Sequence, residues 1–177
     1  MAALRLYLVR HPRPLIAPGV CYGQLDVAAE DPALIVACLR CELPPGLPVW
    51  SSPLQRCRTL AEALQPAPRL AARLMELNFG AWEGRPWDDI ARPELDAWAA
   101  DIDGYAPPGG EAPRQLQQRV LAFVDELPAG AHLLVTHAGV IRALLAAAAG
   151  ETLAAALQRL APAYGSLTRL DYFSGSR

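Results

Sequence analysis

Leu6-Tyr7-Leu8-Val9-Arg10-His11 is an apolar run that stops in a cation and an imidazole, and Pro12-Arg13-Pro14-Leu15-Ile16-Ala17-Pro18-Gly19 follows it. The apolar residues predict a buried strand over Leu4–Val9, central in its sheet. The prolines and the glycine end that strand and open a loop that runs to Asp31. Ligands of open α/β sheets lie outside the carboxyl ends of the strands. Arg10 and His11 stand at such an end, so the rest of the chain is read for what can join them there.

A second apolar run, His132–Val135, ends the same way, in Thr136-His137-Ala138-Gly139. Between the two, helical spacing predicts a helix over Pro32–Leu43 with Leu34, Ile35, Cys38 and Leu39 on its apolar face. A short strand, Leu47–Trp50, follows. Ser52-Pro53-Leu54-Gln55 reads as a helix start, with Ser52 as cap, Pro53 first in the helix and Gln55 completing a capping box. Leu54, Cys57, Leu60, Ala61 and Leu64 line that helix, and Arg56 and Arg58 lie off the stripe. A third strand is expected over Arg69–Leu74, a loop over Met75–Gly84 and one or two short helices over Pro86–Ala100. Glu111–Leu127 is predicted helical, burying Leu116, Val120, Phe123, Val124 and Leu127. The helix after His137, Val140–Ala149, is apolar nearly all round and is therefore expected to be buried. A last strand is expected over Ala163–Tyr172. Strands alternating with helices imply an α/β fold with a mostly parallel sheet covered on both faces, in one domain over residues 1–177.

The 177 residues are 53% hydrophobic with net charge −2, which suits a globular chain. No apolar run reaches the roughly 18 residues needed to span a bilayer. Met1-Ala2-Ala3-Leu4-Arg5-Leu6 lacks a signal-peptide layout, so a cytoplasmic location is expected, without membrane association. The slightly acidic balance shows no nucleic-acid footprint. All 16 basic residues are arginine, so an anion site must use Arg, His or backbone N–H groups. Cys38 and Cys41 form a C-x-x-C pair inside a helix, where they are read as buried small hydrophobes in preference to a redox or metal pair. No His and carboxylate ligands occur at metal spacing, so neither metal nor other cofactor is expected.

Neighbouring parallel strands point their carboxyl ends the same way. Arg10, His11, Arg56 and His137 are therefore expected to converge, two guanidinium and two imidazole groups around one point. Guanidinium matches phosphate oxygens bidentately, and the N-terminus of the helix after His137 adds N–H groups. Neutral imidazole can attack phosphorus without a separate base. The leaving alkoxide then needs a proton, which a carboxylic acid beside a dianion can supply.

Five motifs carry a resemblance. They are Arg10-His11 after a strand, Ser52-Pro53-Leu54-x-Arg56-x-x-Thr59, Glu76-Leu77-Asn78-Phe79-Gly80-x-Trp82-Glu83-Gly84, Pro108-Gly109-Gly110-Glu111 and Thr136-His137-Ala138-Gly139. In this order they resemble the histidine phosphatase (phosphoglycerate-mutase-like) superfamily. The resemblance implies a three-layer α/β/α sandwich and metal-independent phosphoryl transfer through phosphohistidine on His11. It makes Arg10, Arg56 and His137 the phosphate pocket and Glu76 the general acid. Tyr22, Gly23 and Ala138 join them as expected substrate contacts. The family usually reads Arg-His-Gly-Glu-Thr, with an Asn a few residues on. Here the loop is Arg10-His11-Pro12-Arg13-Pro14, and Ala17 stands where the Asn is expected. Pro12 keeps the carbonyl that orients the nucleophile, while a hydroxyl and an amide donor are lost. Arg13 either replaces them at the phosphate or faces solvent.

The chain length looks like that of the small phosphatases of the family. Val20–Val27 and Glu76–Gly84 are similar to the α-ribazole phosphatases of late cobalamin biosynthesis. The expected activity is hydrolysis of α-ribazole-5'-phosphate or adenosylcobalamin-5'-phosphate. The alternatives are a broad-specificity small-molecule or sugar phosphatase or mutase, and a catalytically weak phosphate-binding module. The expected partner is a small-molecule phosphomonoester, with a homodimer compatible. Glu83 and Glu111 compete with Glu76 for the acid role, with a loop brace and a helix cap as their other readings. Tyr22 either lines the entrance or packs. Trp82, Trp87 and Trp98 either pack or offer a platform to a base-like group. His132 has no partner motif and is read as structural.

Overall fold

The computed structural model describes residues 3–173. Five strands form one sheet: β1 (Ala3–Arg10), β2 (Val49–Ser51), β3 (Arg69–Leu70), β4 (Gly130–Thr136) and β5 (Leu167–Phe173), in the order β3-β2-β4-β1-β5. The first four run parallel, and β5 lies antiparallel on β1. Six α-helices join them: α1 (Ala33–Glu42), α2 (Gln55–Leu64), α3 (Arg92–Ala100), α4 (Pro113–Asp125), α5 (Ala138–Ala149) and α6 (Leu153–Leu157).

The two faces of β1 separate the core. Successive side chains of a strand point to opposite faces. Leu4, Leu6 and Leu8 pack with Leu116, Val120, Ile141 and Leu144 of α4 and α5. Tyr7 and Val9 pack on the other side with Val36, Leu39, Cys57 and Leu60 of α1 and α2. The result is the expected α/β/α layering around a mixed, mostly parallel sheet. A satellite cluster of Cys21, Trp82 and Ile90, ringed by Phe79, Trp87, Leu95, Trp98 and Tyr105, sits beyond the sheet's carboxyl edge.

Several local expectations are corrected. The third strand is only two residues long, because a 3-10 turn, Ala72–Leu74, takes over and buries Leu74. Helix α1 forms where expected, but it buries Val36 and Leu39 and leaves Leu34 83% exposed. Cys38 and Cys41 are exposed free thiols, not buried ones. The helix packs Val36 and Leu39 with Tyr7 and Val9 of β1 and buries a stripe narrower than its composition suggests. Ser52 does not cap α2. That helix begins at Gln55, whose N–H donates to Asp26 Oδ1 at 2.7 Å. Asp26, 29 residues away, supplies the capping oxygen and frees the Ser52 hydroxyl for another partner. Helix α6 is an element the sequence pattern had not suggested.

The loop between β3 and α3 is fastened by one arginine. Arg119 of α4 donates to the carbonyls of Arg73, Met75 and Glu76 at 2.7–2.9 Å and pairs with Glu111 at 2.5 Å. Glu111 in turn accepts the Asn78 N–H at 3.1 Å, so it braces the loop and does not cap α4. Replacing Arg119 by Met removes the donor to the Arg73 and Met75 carbonyls and leaves the Glu76 carbonyl only the Gln24 side chain and the Glu111 carboxylate only the Asn78 N–H. Arg119→Met is expected to cost about 3 kcal/mol, read as a fall in the urea midpoint with little change in m-value.

Candidate active site

The strand register assembles the site. Arg10 pairs with Thr136 across β1 and β4, and Ser51 pairs with Val135 across β2 and β4. The next residues of the three strands, His11, His137 and Ser52, therefore emerge side by side. The two imidazoles meet edge-on with ring centroids 5.1 Å apart. His137 Nε2 lies 2.9 Å from the Ser52 hydroxyl and 3.4 Å from Cys57 Sγ. His11, His137, Ser52 and Arg56 are all buried.

His11 has a defined tautomer. Its Nδ1 is 2.6 Å from the Pro12 carbonyl, and a carbonyl can only accept, so Nδ1 carries the proton and Nε2 holds the lone pair. Burial first and the Arg56 charge next lower the His11 pKa to about 3; the Pro12 carbonyl opposes them, and the Arg10 charge adds a smaller lowering. The imidazole is thus neutral at physiological pH. His137 is likewise held well below its ordinary value, by burial first and by Arg56 and His11 next.

Arg56 is 1% exposed in the first turn of α2. A buried guanidinium costs several kcal/mol unless its N–H groups are paired. Its terminal nitrogens donate to the carbonyls of Gly23 at 2.6 Å and Leu25 at 2.9 Å. Gly23 serves this geometry in a second way: a Cβ there would meet the Leu77 carbonyl at 1.9 Å. Arg10 donates to the Pro162 carbonyl at 2.5 Å, and its guanidinium carbon lies 3.8 Å from the centroid of the Tyr164 ring. The Nε–H groups of Arg10, Arg56 and Arg142 are buried with no described partner.

Glu76 faces the same cavity. Its carboxylate accepts the N–H of Leu77 at 2.9 Å and of Gly139, in the first turn of α5, at 3.1 Å. A Cβ on Gly139 would approach Glu76 Oε1 to 2.2 Å, so the glycine lets the helix start meet the carboxylate. Glu83 braces the loops, accepting N–H groups of Gln24 at 2.7 Å and Phe79 at 2.9 Å. Both competing acids are therefore engaged elsewhere.

The cavity, about 380 Å³, is lined by Arg10, His11, Tyr22, Gly23, Glu76 and Ala138 among others. Its outer wall is apolar: Val20, Phe79, Trp87, Trp98, Ile102 and Leu157. Trp87 and Trp98 stack at 5.9 Å with 12° between planes, so both indoles pack and still present a wall. Trp82 is buried, its indole N–H donating to Glu94 at 2.5 Å. Arg13 faces solvent with a side chain 66% exposed, 3.8 Å from Glu30, and its guanidinium carbon is 5.3 Å from the Tyr164 ring centroid. Ala17 is exposed. His132 is buried against the Pro128 carbonyl at 2.8 Å, away from the site.

Ser52, read from the sequence as a helix cap and a motif residue but not as a site residue, joins the site, as do Arg142 and Tyr164, which were not singled out. Arg142 lies one turn after Ala138 on α5, where the i, i+4 spacing after Thr136-His137-Ala138 is a usable signal. Tyr164 comes from the segment before β5. Because β5 runs antiparallel to β1, that segment lies beside Arg10-His11, and Gly165 N–H donates to the Arg10 carbonyl at 3.0 Å. The direction of the last strand cannot be read from its residues, so nothing in the sequence marks Tyr164.

The two neutral histidines make the fold acid-sensitive. Unfolded imidazoles protonate near pH 6.5 while the folded ones do not, so the unfolded state takes up the extra protons. Stability is full above that value and falls as pH drops toward about 3. The pair is expected to cost about 3–4 kcal/mol between pH 7 and pH 5, measured by urea unfolding. A flat profile over that range contradicts the buried, neutral assignment.

The chain matches the histidine phosphatase superfamily (branch 1) over residues 6–177. It is similar to the probable phosphoglycerate mutase GpmB of Yersinia pestis (strain Pestoides F), with 34% identity over 96% of this chain and 85% of that protein. A crystal structure of phosphoglycerate mutase from Thermus thermophilus superposes with a TM-score of 0.76, 35% identity, and coverage of 95% of this chain and 93% of that one. A mycobacterial glucosyl-3-phosphoglycerate phosphatase gives a TM-score of 0.79, 28% identity, and coverage of 94% and 89%. With its two strand-end histidines, its buried arginine and this extent of similarity, the chain belongs to the histidine phosphatase superfamily, branch 1, with phosphoglycerate-mutase-like relatives.

Proposed function

We propose that this protein is a metal-independent phosphomonoester hydrolase working through phosphohistidine on His11. The observation that carries the reading is a neutral, tautomer-fixed imidazole set among buried cationic N–H groups that no described residue pairs. In an apolar surrounding such groups favour negative charge strongly.

His11 Nε2 attacks the phosphorus while the P–O bond to the leaving group breaks. Arg10 and Arg56 hold the non-bridging oxygens, and His137 adds a neutral donor. Glu76, in its protonated form, gives a proton to the leaving oxygen. Its carboxylate then takes a proton from water, the water oxygen attacks phosphorus and the P–N bond breaks. Inorganic phosphate leaves, and His11 and Glu76 return to their starting forms. Nδ1 keeps its proton throughout, held by the Pro12 carbonyl.

The apolar wall supports a leaving group with a flat, weakly polar body. α-Ribazole-5'-phosphate fits that description: its benzimidazole is a flat, weakly polar body suited to the wall of Trp87 and Trp98, and its ribose hydroxyls are acceptors suited to Arg142. Adenosylcobalamin-5'-phosphate carries the same nucleotide. Arg142 favours a second reading, a leaving group bearing a carboxylate, as in the glucosyl-3-phosphoglycerate phosphatase relative, and a phosphoglycerate mutase activity would use the same first half-reaction. A panel of α-ribazole phosphate, adenosylcobalamin phosphate, 3-phosphoglycerate, glucosyl-3-phosphoglycerate and sugar phosphates decides between them by kcat/KM.

With EDTA present, hydrolysis of p-nitrophenyl phosphate is expected to persist in the wild type and to fall at least about 10³-fold in His11→Ala, as loss of a covalent nucleophile demands. Equal activity of the two proteins overturns the nucleophile assignment, and an inactive wild type favours a binding module. Glu76→Gln is expected to slow alkyl phosphates about 10²–10⁴-fold and p-nitrophenyl phosphate much less, because the aryl oxide leaves without a proton. Equal losses on both substrate types remove Glu76 from the acid role.

A further inference from the structure

The Tyr22 and Tyr164 hydroxyls lie 3.1 Å apart, and neither has another hydrogen-bond partner among the described residues. Two hydroxyls in one mutual bond use one proton. The hydroxyl that accepts keeps its own proton free to donate elsewhere. Tyr22 lines the cavity, and its ring centroid is 5.5 Å from the Arg56 guanidinium carbon. The Tyr164 ring is 5.6 Å from the His11 ring and carries the Arg10 guanidinium on its face at 3.8 Å. The pair thus bridges the two arginines at the point where the nucleophile stands. Burial, and then the bond to Tyr164, push the Tyr22 pKa up to about 12, so the phenol stays protonated.

The loop after His11 supplies no comparable donor. Pro12 and Pro14 lack N–H groups, and Arg13 is solvent-facing. Two of the Arg56 nitrogens are already bound to backbone carbonyls.

We propose that the Tyr22–Tyr164 hydroxyl pair donates a hydrogen bond to a phosphoryl oxygen, and that the Tyr164 ring is the positioning surface for Arg10. This rests on the phosphoryl-binding reading of the site and adds two residues to it. The pair takes the place that a hydroxyl or amide in the His11 loop would hold. One of the two hydroxyls, that of Tyr164, comes from far along the chain, carried by the turn that β5 brings beside β1.

The test compares wild type with Tyr22→Phe, Tyr164→Phe, the double variant and Tyr164→Leu. Inorganic phosphate binding is measured by titration calorimetry, p-nitrophenyl phosphate turnover by kcat/KM, and folding by Tm. Each single Phe variant is expected to bind phosphate about tenfold more weakly, the size of one hydrogen bond to a charged oxygen. The double variant is expected to fall little further, because the hydroxyls act as a unit. Tyr164→Leu is expected to lose more than Tyr164→Phe, since the platform under Arg10 goes as well. Phe variants that bind phosphate within twofold of wild type overturn the proposal, and a lower Tm in them would mark the pair as a structural latch only. A wild type that binds phosphate but hydrolyses no phosphomonoester overturns the hydrolase reading alone, and the affinity ratios still decide the tyrosines. A wild type that binds no phosphate overturns both.

Discussion

Three parallel strands end level with one another, and the site depends on that register. Arg10 beside Thr136 and Ser51 beside Val135 are backbone pairings. A slip of one residue would turn Leu4, Leu6 and Leu8 away from α4 and α5 and set them where Tyr7 and Val9 pack on α1 and α2. The leucines of the core therefore fix the placement of His11, His137 and Ser52. The same hydrophobic alternation that stabilises the sheet holds two imidazoles 5.1 Å apart without any direct bond between them.

Burial and charge then decide what those imidazoles can do. Arg56 sits in the interior because backbone carbonyls of the 23–25 segment accept its N–H groups. The loss of water first, and the Arg56 charge next, keep both histidines neutral. Neutrality has an energetic cost below pH 6.5 and a chemical benefit above it, since the lone pair on Nε2 stays free. The fixed Nδ1 bond to Pro12 shows why a proline after the nucleophile is tolerated: the interaction needs a carbonyl, and proline retains one.

The acid side of the cavity is held by a separate scaffold. Arg119 gathers the loop through three of its carbonyls, Glu111 and Glu83 take its N–H groups, and Gly139 allows α5 to meet the Glu76 carboxylate. Phe79 and Trp87 of the aromatic cluster grow from the same loop, and Trp98 joins them from α3, which follows it. One segment thus carries both the carboxylate and the wall that a leaving group would meet, which lets the leaving-group side vary while the strand-end histidines stay fixed.

Residue pattern alone determined the alternation of strands and helices, the buried faces of β1 and α4, and the convergence of Arg10, His11, Arg56 and His137. Each of these follows from local periodicity and from the shared direction of parallel strands. The N-cap of α2, the short β3 and the exposed face of α1 were not legible, because each depends on a neighbour distant in sequence: Asp26 took the cap, and α1 turned Val36 and Leu39 to β1 and left Leu34 and Cys38 uncovered. Only the tertiary structure brought Tyr164 under Arg10, Ser52 to His137 and Arg142 into the cavity. The reason is topological: an antiparallel last strand and a long-range cap are set by how the layers close, and no local pattern encodes that closure.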